Sequence, residues 1–322
     1  MLDQIKSPVN EHMQKFERFF KENMNSDISL LNIITNYIYR RKGKQLRPML
    51  VFLSAGLNGE ITQSTYVAAG MIELLHTATL VHDDVVDEAY ERRGGFSVNA
   101  LWRSKVAVLV GDFLLSRGLL ISIEHNSMDL LREMSKAVKD MSEGELLQIE
   151  RSRKMNIDED AYFEIIRMKT ASLLASCCVN GAISAGVPSE KVELMRSFGL
   201  KLGLAFQMRD DLFDYQPKGL IGKPTGNDIK EKKLTLPLIY ALKQATPEER
   251  RSIRKLILKE RKKNSTIETV VDFVKKYGGI EYTTNAMLRI QHEALDILKA
   301  FPESEYRNSL ELFTEYIVNR KV

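Results

Sequence analysis

The chain has 322 residues, a net charge of +4 and a hydrophobic fraction of 44%. So mild a positive balance gives no reason to expect nucleic acid as a partner, and Met1 to Phe20 is too polar and too mixed in charge for a secretory signal. The two cysteines, Cys177 and Cys178, are adjacent, which excludes a disulfide framework and a CxxC site and fits small buried side chains in a reducing cytoplasm.

Apolar residues recur at helical spacing almost throughout. Ile28, Leu30, Leu31, Ile33, Ile34, Tyr37 and Ile38 follow the i, i+3, i+4, i+7 pattern behind the capping signal Asn25-Ser26-Asp27. A helix over 46–57 should stop at Asn58-Gly59. The next, over 63–88, is apolar on nearly every side (Ala68, Ala69, Met71, Ile72, Leu74, Leu75, Ala78, Leu80, Val81), the pattern of a helix buried among others. Arg92-Arg93-Gly94-Gly95 reads as a loop. Helices over 105–123, 129–151, 158–185 and 190–215 follow, the third rich in small residues that permit close packing. Pro217, Gly219, Gly222, Pro224 and Gly226 then predict a loop carrying Lys218 and Lys223. Further helices run toward Val322, broken near Pro247, Gly278-Gly279 and Pro302. The longest apolar run, Val106 to Leu115, is interrupted by Asp112 and too short to span a bilayer, so no transmembrane segment is expected. With no useful strand pattern and no Gly/Ser/Pro-rich linker, the expected fold is all-α, a large helical bundle with a central cleft, and a single domain over 1–322.

Two acidic triplets stand out. Asp83, Asp84 and Asp87 close the apolar 63–88 helix, and Asp210, Asp211 and Asp214 repeat the spacing near the end of 190–215. Residues three and four apart share a helical face, so each triplet gathers carboxylates that repel one another unless a cation compensates. One such triplet could be a solvated face; two with identical spacing in apolar sequence point to a site. Aspartates with few histidines suit a hard cation such as Mg²⁺. Glu73-Leu74-Leu75-His76 is an ExxH pattern, but a di-iron bundle needs two, and no other histidine has a Glu three positions before it.

Lys42, Lys44, Arg47, Arg92, Arg93, Lys169, Lys223 and Lys233 mostly fall in loops or near helix ends, beside Gly, Pro or Thr. Singly these are surface charges; together with the carboxylates they describe a diphosphate site, since bridging Mg²⁺ inverts the local field. Apolar helices walling a cleft behind that cluster would house a hydrocarbon tail. A separate basic run, Arg250, Arg251, Arg254, Lys255, Lys259, Arg261, Lys262 and Lys263, reads as a solvated helix face, with peripheral attraction to an anionic membrane as the sharper alternative.

The combination resembles the trans-prenyltransferases, and specifically the polyprenyl diphosphate synthases of quinone side-chain synthesis. The resemblance runs from Gly43-Lys44-Gln45-Leu46-Arg47-Pro48 to Lys233-Leu234-Thr235-Leu236-Pro237. Between them lie Glu73 to Asp87 with Arg92-Arg93-Gly94, then Gly111-Asp112, Gly144-Glu145, Lys169-Thr170, Gln207 to Asp214, and Gly222-Lys223 through Asp228, in family order. Lys42 and Lys232 stand where Gly is frequent, and Gly95-Phe96-Ser97 replaces a usual x-Pro-Thr; none removes a ligand.

The resemblance implies that Asp83, Asp87 and Asp210, supported by Asp84, Asp211 and Asp214, would hold about three Mg²⁺ ions on an allylic diphosphate. Arg92, Lys169, Gln207, Lys223 and Lys233 would hold that diphosphate, Lys44, Arg47, His76 and Arg93 would bind isopentenyl diphosphate, and Thr170 would sit beside the reacting carbons. It also implies a cytoplasmic homodimer. Members making short products carry a bulky aromatic four or five residues before the first triplet. Here those positions are Thr79 and Ala78, which leave a tail an open path and predict a product of about eight prenyl units; Phe52 is a further candidate for the floor. A terpene cyclase would share the acids and Mg²⁺ but has no need of Lys44, Arg47 and Arg93. A regulatory subunit of a heteromeric synthase could dispense with its aspartates, and all six are present.

Overall fold

The structure, a computed structural model, describes residues 1–154, 157–215, 226–258 and 264–320. Lys218, Lys223, Lys259, Arg261, Lys262 and Lys263 lie outside them. In chain order the elements are α1 (Leu2–Lys6), α2 (Asn10–Asn23), α3 (Ser29–Arg40), α4 (Leu46–Asn58), α5 (Gln63–Val86), β1 (Glu91–Arg92), β2 (Gly95–Phe96), α6 (Val98–Glu124) and α7 (Met128–Lys154). There follow α8 (Glu159–Ile166), a π turn (Arg167–Ala171), α9 (Ser172–Ser184), α10 (Ser189–Phe213), α11 (Asn227–Lys230), α12 (Leu236–Gln244), α13 (Pro247–Leu258), α14 (Asn264–Lys276), α15 (Gly279–Leu298) and α16 (Glu305–Asn319). The all-α expectation holds.

The helical assignments needed correction where side chains, not periodicity, decide. The expected loop at 92–95 is a two-residue hairpin, Arg92 pairing with Gly95. Arg93 and Gly94 both have positive φ, 51° and 71°, as a tight primed hairpin turn requires; Gly94 takes that conformation without steric cost. The helix expected over 105–123 begins instead at Val98, because the Ser97 hydroxyl accepts from Ala100 N at 3.0 Å and caps it. Its early turn carries a break at Arg103, φ 67° and ψ 162°. The helix expected over 158–185 is interrupted by the π turn, whose wider ring shifts Lys169 and Thr170 relative to a regular helix.

Two compact units partition the chain, one of 1–135, 176–196 and 301–310, the other of 136–175, 197–300 and 311–322. The first is organised on α5, capped by the reciprocal Thr62–Thr65 arrangement and buried along Val67, Ala68, Met71, Ile72, Leu74, Leu75 and Ala78. It packs on α2, α4 and α6. Each such large apolar side chain contributes about 1.5–3 kcal/mol on burial, so α5 is the element this unit is least able to move. In the second unit, Ala205, Met208 and Leu212 on α10 join Tyr162, Ile229, Leu238, Val270 and Met287 in a core. The Tyr215 hydroxyl is satisfied there by Thr235 Oγ1 at 2.8 Å.

Among the described residues, α6 is the one helix long and apolar enough to cross a membrane by length and composition. The helix runs from Val98 to Glu124 straight through Asp112, well beyond the apolar run Val106–Leu115. Ala107, Val110, Leu114 and Ile121 are buried inside the first unit, while Leu101, Val108, Leu109, Leu120 and Ile123 are exposed.

Candidate active site

In the first unit the triplet divides by burial. Asp83 and Asp87 are exposed, one turn apart, and Thr79 stands half-buried one turn before Asp83 on the same face. Asp84, about 100° round the helix from Asp83, is buried, 3% exposed. Its Oδ1 accepts from Arg92 Nε at 2.8 Å and Nη2 at 2.5 Å, a charge-assisted contact that fixes the hairpin arginine against α5. Ser97 secures the same hairpin, donating to Ala89 O at 2.6 Å.

Behind this rim, His76 and Glu73 are buried on α5, 7% and 5% exposed, facing Arg47 of α4. Burial, then the charges of Arg47, Arg93 and Arg92, hold His76 well below the usual imidazole range, so it is neutral at pH 7. Burial pushes the Glu73 carboxyl up, opposed by Arg47 and Arg93. Arg47 Nε and His76 Nδ1 are buried without a partner, two polar atoms whose satisfaction by a bound acceptor would be favourable. Lys44 is exposed at the head of α4. Arg93 is exposed at the hairpin tip, its Nη1 donating to Arg41 O at 3.4 Å. Ala78 is fully buried, while Phe52 sits far down the unit against Tyr66, ring centroids 5.0 Å apart. Tyr66 precedes Asp83 by 17 residues, about 25 Å of helix.

In the second unit the π turn brings Lys169 and Thr170 to α10. Gly144 of α7 makes this possible, because a Cβ there would lie 2.8 Å from Lys169 N. Lys169 pairs with Glu145 and reaches Gln148 Oε1 at 3.5 Å. Thr170 Oγ1 donates to Gln207 Oε1 at 2.7 Å, Gln207 Nε2 donates to Asp211 Oδ1 at 2.8 Å, and Tyr162 Oη donates to Asp211 Oδ2 at 2.6 Å. These residues, with Gln148, Asp228, Lys233 and Thr235, line one cavity of about 70 Å³. Asp214 accepts from the backbone N–H groups of Gly226 and Asp228 at 3.0 and 2.8 Å. Asp210 is ion-paired with Arg320. Burial pushes Asp211 up to about 6 and, with the charges of Asp211 and Asp214, Asp228 up to about 7. Lys233 lies between Glu231 at 2.5 Å and Asp228 at 3.9 Å.

Within each unit, then, the expected residues converge: Arg47, His76, Asp84, Arg92 and Arg93 in one, Lys169, Thr170, Gln207, Asp211 and Lys233 in the other. Sequence reading missed Tyr162, Gln148 and Arg320, and weighed Glu73 only as a metal ligand. Tyr162 and Asp211 are 49 residues apart and Arg320 and Asp210 are 110 apart, so no spacing rule could pair them. Among the described residues no three His, Cys, Asp or Glu side chains close on a metal ion by themselves. The donors are nonetheless carboxylate oxygens, and a hard cation that takes one or two carboxylates and completes its shell with phosphate oxygens and water fits them.

This predominantly helical chain, with an acidic motif closing each of two helices, has the isoprenoid-synthase fold of the polyprenyl synthases whose structures it matches. The Polyprenyl synthetase family profile matches residues 28–274. The chain is 36% identical over 318 residues to the all-trans-nonaprenyl-diphosphate synthase (geranyl-diphosphate specific) of Rhodobacter capsulatus, covering 98% of this chain and 97% of that one. It is 35% identical over 310 residues to the octaprenyl diphosphate synthase of Escherichia coli K12, covering 96% of each. Its structure is similar to the polyprenyl synthase of Caulobacter crescentus CB15 complexed with calcium and isoprenyl diphosphate, with a TM-score of 0.92 at 33% identity, covering 100% of this chain and 98% of that one. The chain belongs to the polyprenyl synthetase family and is a prenyltransferase. Neither the cyclase nor the regulatory-subunit reading gains support from these likenesses.

Proposed function

We propose that this enzyme adds isopentenyl diphosphate units to an allylic diphosphate, farnesyl or geranylgeranyl, to build a polyprenyl diphosphate of about eight units for a quinone side chain. The observation that carries this reading is the exposed face of α5, where Asp83 and Asp87 stand one turn apart with the small Thr79 one turn below. Head-group ligands and a side chain small enough to leave room for a tail share one helix face. The nonaprenyl and octaprenyl names of the two relatives support a product in this range.

Asp83, Asp87 and Asp210 would hold Mg²⁺, about three ions with the diphosphate, and Asp84, Asp211 and Asp214 support them. When bound, the metal stabilises charge on the departing diphosphate. Arg92, Lys169, Gln207, Lys223 and Lys233 bind and orient the allylic diphosphate, and Asp84 aims Arg92 from behind. Lys44, Arg47, His76 and Arg93 take isopentenyl diphosphate; a neutral imidazole can donate one hydrogen bond there while its other nitrogen accepts. Thr170, anchored to Gln207, stands beside the reacting carbons. The apolar walls exclude water that would quench the allylic cation, and the released diphosphate takes the proton.

The protein acts as one synthase domain over 1–322 and as a homodimer, for which the exposed leucines and isoleucines of α6 are the natural cover. It works in the cytoplasm, with peripheral membrane contact at product release. Purified protein with Mg²⁺, farnesyl diphosphate and labelled isopentenyl diphosphate should give a ladder of elongated products. Ala78→Phe and Thr79→Phe should each shorten it. No incorporation by the pure protein overturns the elongation reading, and an unchanged ladder in both variants overturns the chain-length argument.

A further inference from the structure

Phe206, Asp210 and Phe213 occupy one face of α10, at i, i+4 and i+7. The residue that covers this face comes from just beyond α16. Arg320 lays its guanidinium 4.1 Å from the Phe206 ring centroid and 5.6 Å from that of Phe213, and its Nη2 is ion-paired with Asp210 Oδ1. The arrangement is held from the backbone too, since Arg209 Nη2 donates to Arg320 O at 3.1 Å. Arg209 also packs on Phe213, 4.8 Å from its centroid. The Arg320 side chain is 16% exposed and its Nε is buried without a partner. One guanidinium thus contacts the Asp210 carboxylate and the charge of a second acts on it, and that carboxylate opens the second acidic motif.

We propose that Arg320 is a positioning residue that competes with a divalent cation for Asp210, so that cation and diphosphate must displace it to complete the second motif. The inference rests on the reading that Asp210 holds a divalent cation. A guanidinium and a divalent cation on the same carboxylate repel one another, so each weakens the other's hold on Asp210. Stacking on two rings gives the arginine a defined seat next to Asp210. Binding at the second motif is then weaker and more dependent on the accompanying diphosphate than the carboxylates alone dictate. Any cation able to free Asp210 leaves an arginine beside the bound phosphates.

The test titrates Mn²⁺ into full-length wild type, Arg320→Gln, Arg320→Met and Asp210→Asn, with free Mn²⁺ read by paramagnetic resonance, with and without inorganic pyrophosphate. Arg320→Met keeps an apolar stem over Phe206 and Phe213, and circular dichroism and Tm establish that each variant is folded. Loss of one unit charge a few ångströms from the ion should tighten Mn²⁺ binding without pyrophosphate by about tenfold in both Arg320 variants. The gain should shrink when pyrophosphate is present. Unchanged or weaker Mn²⁺ binding in a folded Arg320 variant overturns the proposal. If wild type and Asp210→Asn bind Mn²⁺ equally with pyrophosphate, the metal role of Asp210 itself fails, which is a separate outcome.

Discussion

The Arg92–Asp84 contact makes an asymmetric prediction that thermal unfolding can measure. The Asp84 side chain is 5% exposed, whereas the Arg92 side chain is 36% exposed. Replacing Arg92 with Gln strands a carboxylate in the interior, a change that costs about 3–5 kcal/mol when both partners are buried. Because Arg92 is partly solvated and water can reach the site, the lower end, about 3 kcal/mol, is expected. Replacing Asp84 with Asn instead leaves a neutral amide inside and frees an arginine that can turn to solvent, at about 1 kcal/mol. At about 2 °C per kcal/mol for a chain of this size, Arg92→Gln should lower Tm by about 6 °C and Asp84→Asn by about 2 °C. The double variant should recover most of the difference, because the stranded charge is gone. Differential scanning calorimetry of the four proteins gives the coupling directly. Equal losses in the two single variants, or simple additivity in the double, would refute the view that α5 buries Asp84 for the sake of Arg92. Both single variants should also raise KM for the allylic diphosphate, since in each the guanidinium is absent or unaimed.

Three further outcomes test the rest of the site. Tyr162→Phe removes the donor to Asp211 Oδ2 and should raise the Mg²⁺ concentration for half-maximal activity severalfold, with KM for isopentenyl diphosphate unchanged; an identical Mg²⁺ response would show that Gln207 alone suffices to hold the carboxylate. Gly144→Ala drives a methyl to 2.8 Å from Lys169 N, so kcat/KM should fall by about tenfold or more as the π turn shifts, and full activity would mean that α7 yields without moving Lys169. His76 stays neutral in the folded protein while the unfolded chain takes up a proton below about pH 6.5. Its contribution to stability is therefore complete above that pH and lost as pH falls toward the lowered folded value. His76→Gln should flatten the stability decline between pH 6.5 and 5 by up to about 2 kcal/mol in urea titrations; parallel curves for wild type and variant would contradict the burial argument.

The elements that periodicity describes well were legible in advance. The apolar girth of 63–88 marked α5 as a buried helix, and the repeated carboxylate spacing marked both helix ends that matter. Local chemistry defeated periodicity at three points. The Arg93-Gly94 turn makes a hairpin too short to show alternation, the Ser97 cap starts α6 seven residues early, and the π turn looks like helix in a count of apolar residues. The spacing also treated each triplet as three equivalent acids. Packing leaves Asp83 and Asp87 as a solvent-facing pair and makes Asp84 an internal partner of Arg92.

By itself, the amino-acid sequence determined the helical class, the two acidic motifs and the residue types around them. These are one-dimensional properties, set by side-chain period and composition along a single helix. Only the tertiary structure decided which groups share an electrostatic environment. It brought Tyr162 to Asp211 and Arg320 to Asp210, and it buried His76 beside arginines, so that burial first and their charges second keep it neutral. Hydrogen bonds need contact and exposed charges are screened over about 10 Å, whereas chain separation says almost nothing about distance once helices pack. Partnership at a site is therefore a property of the fold.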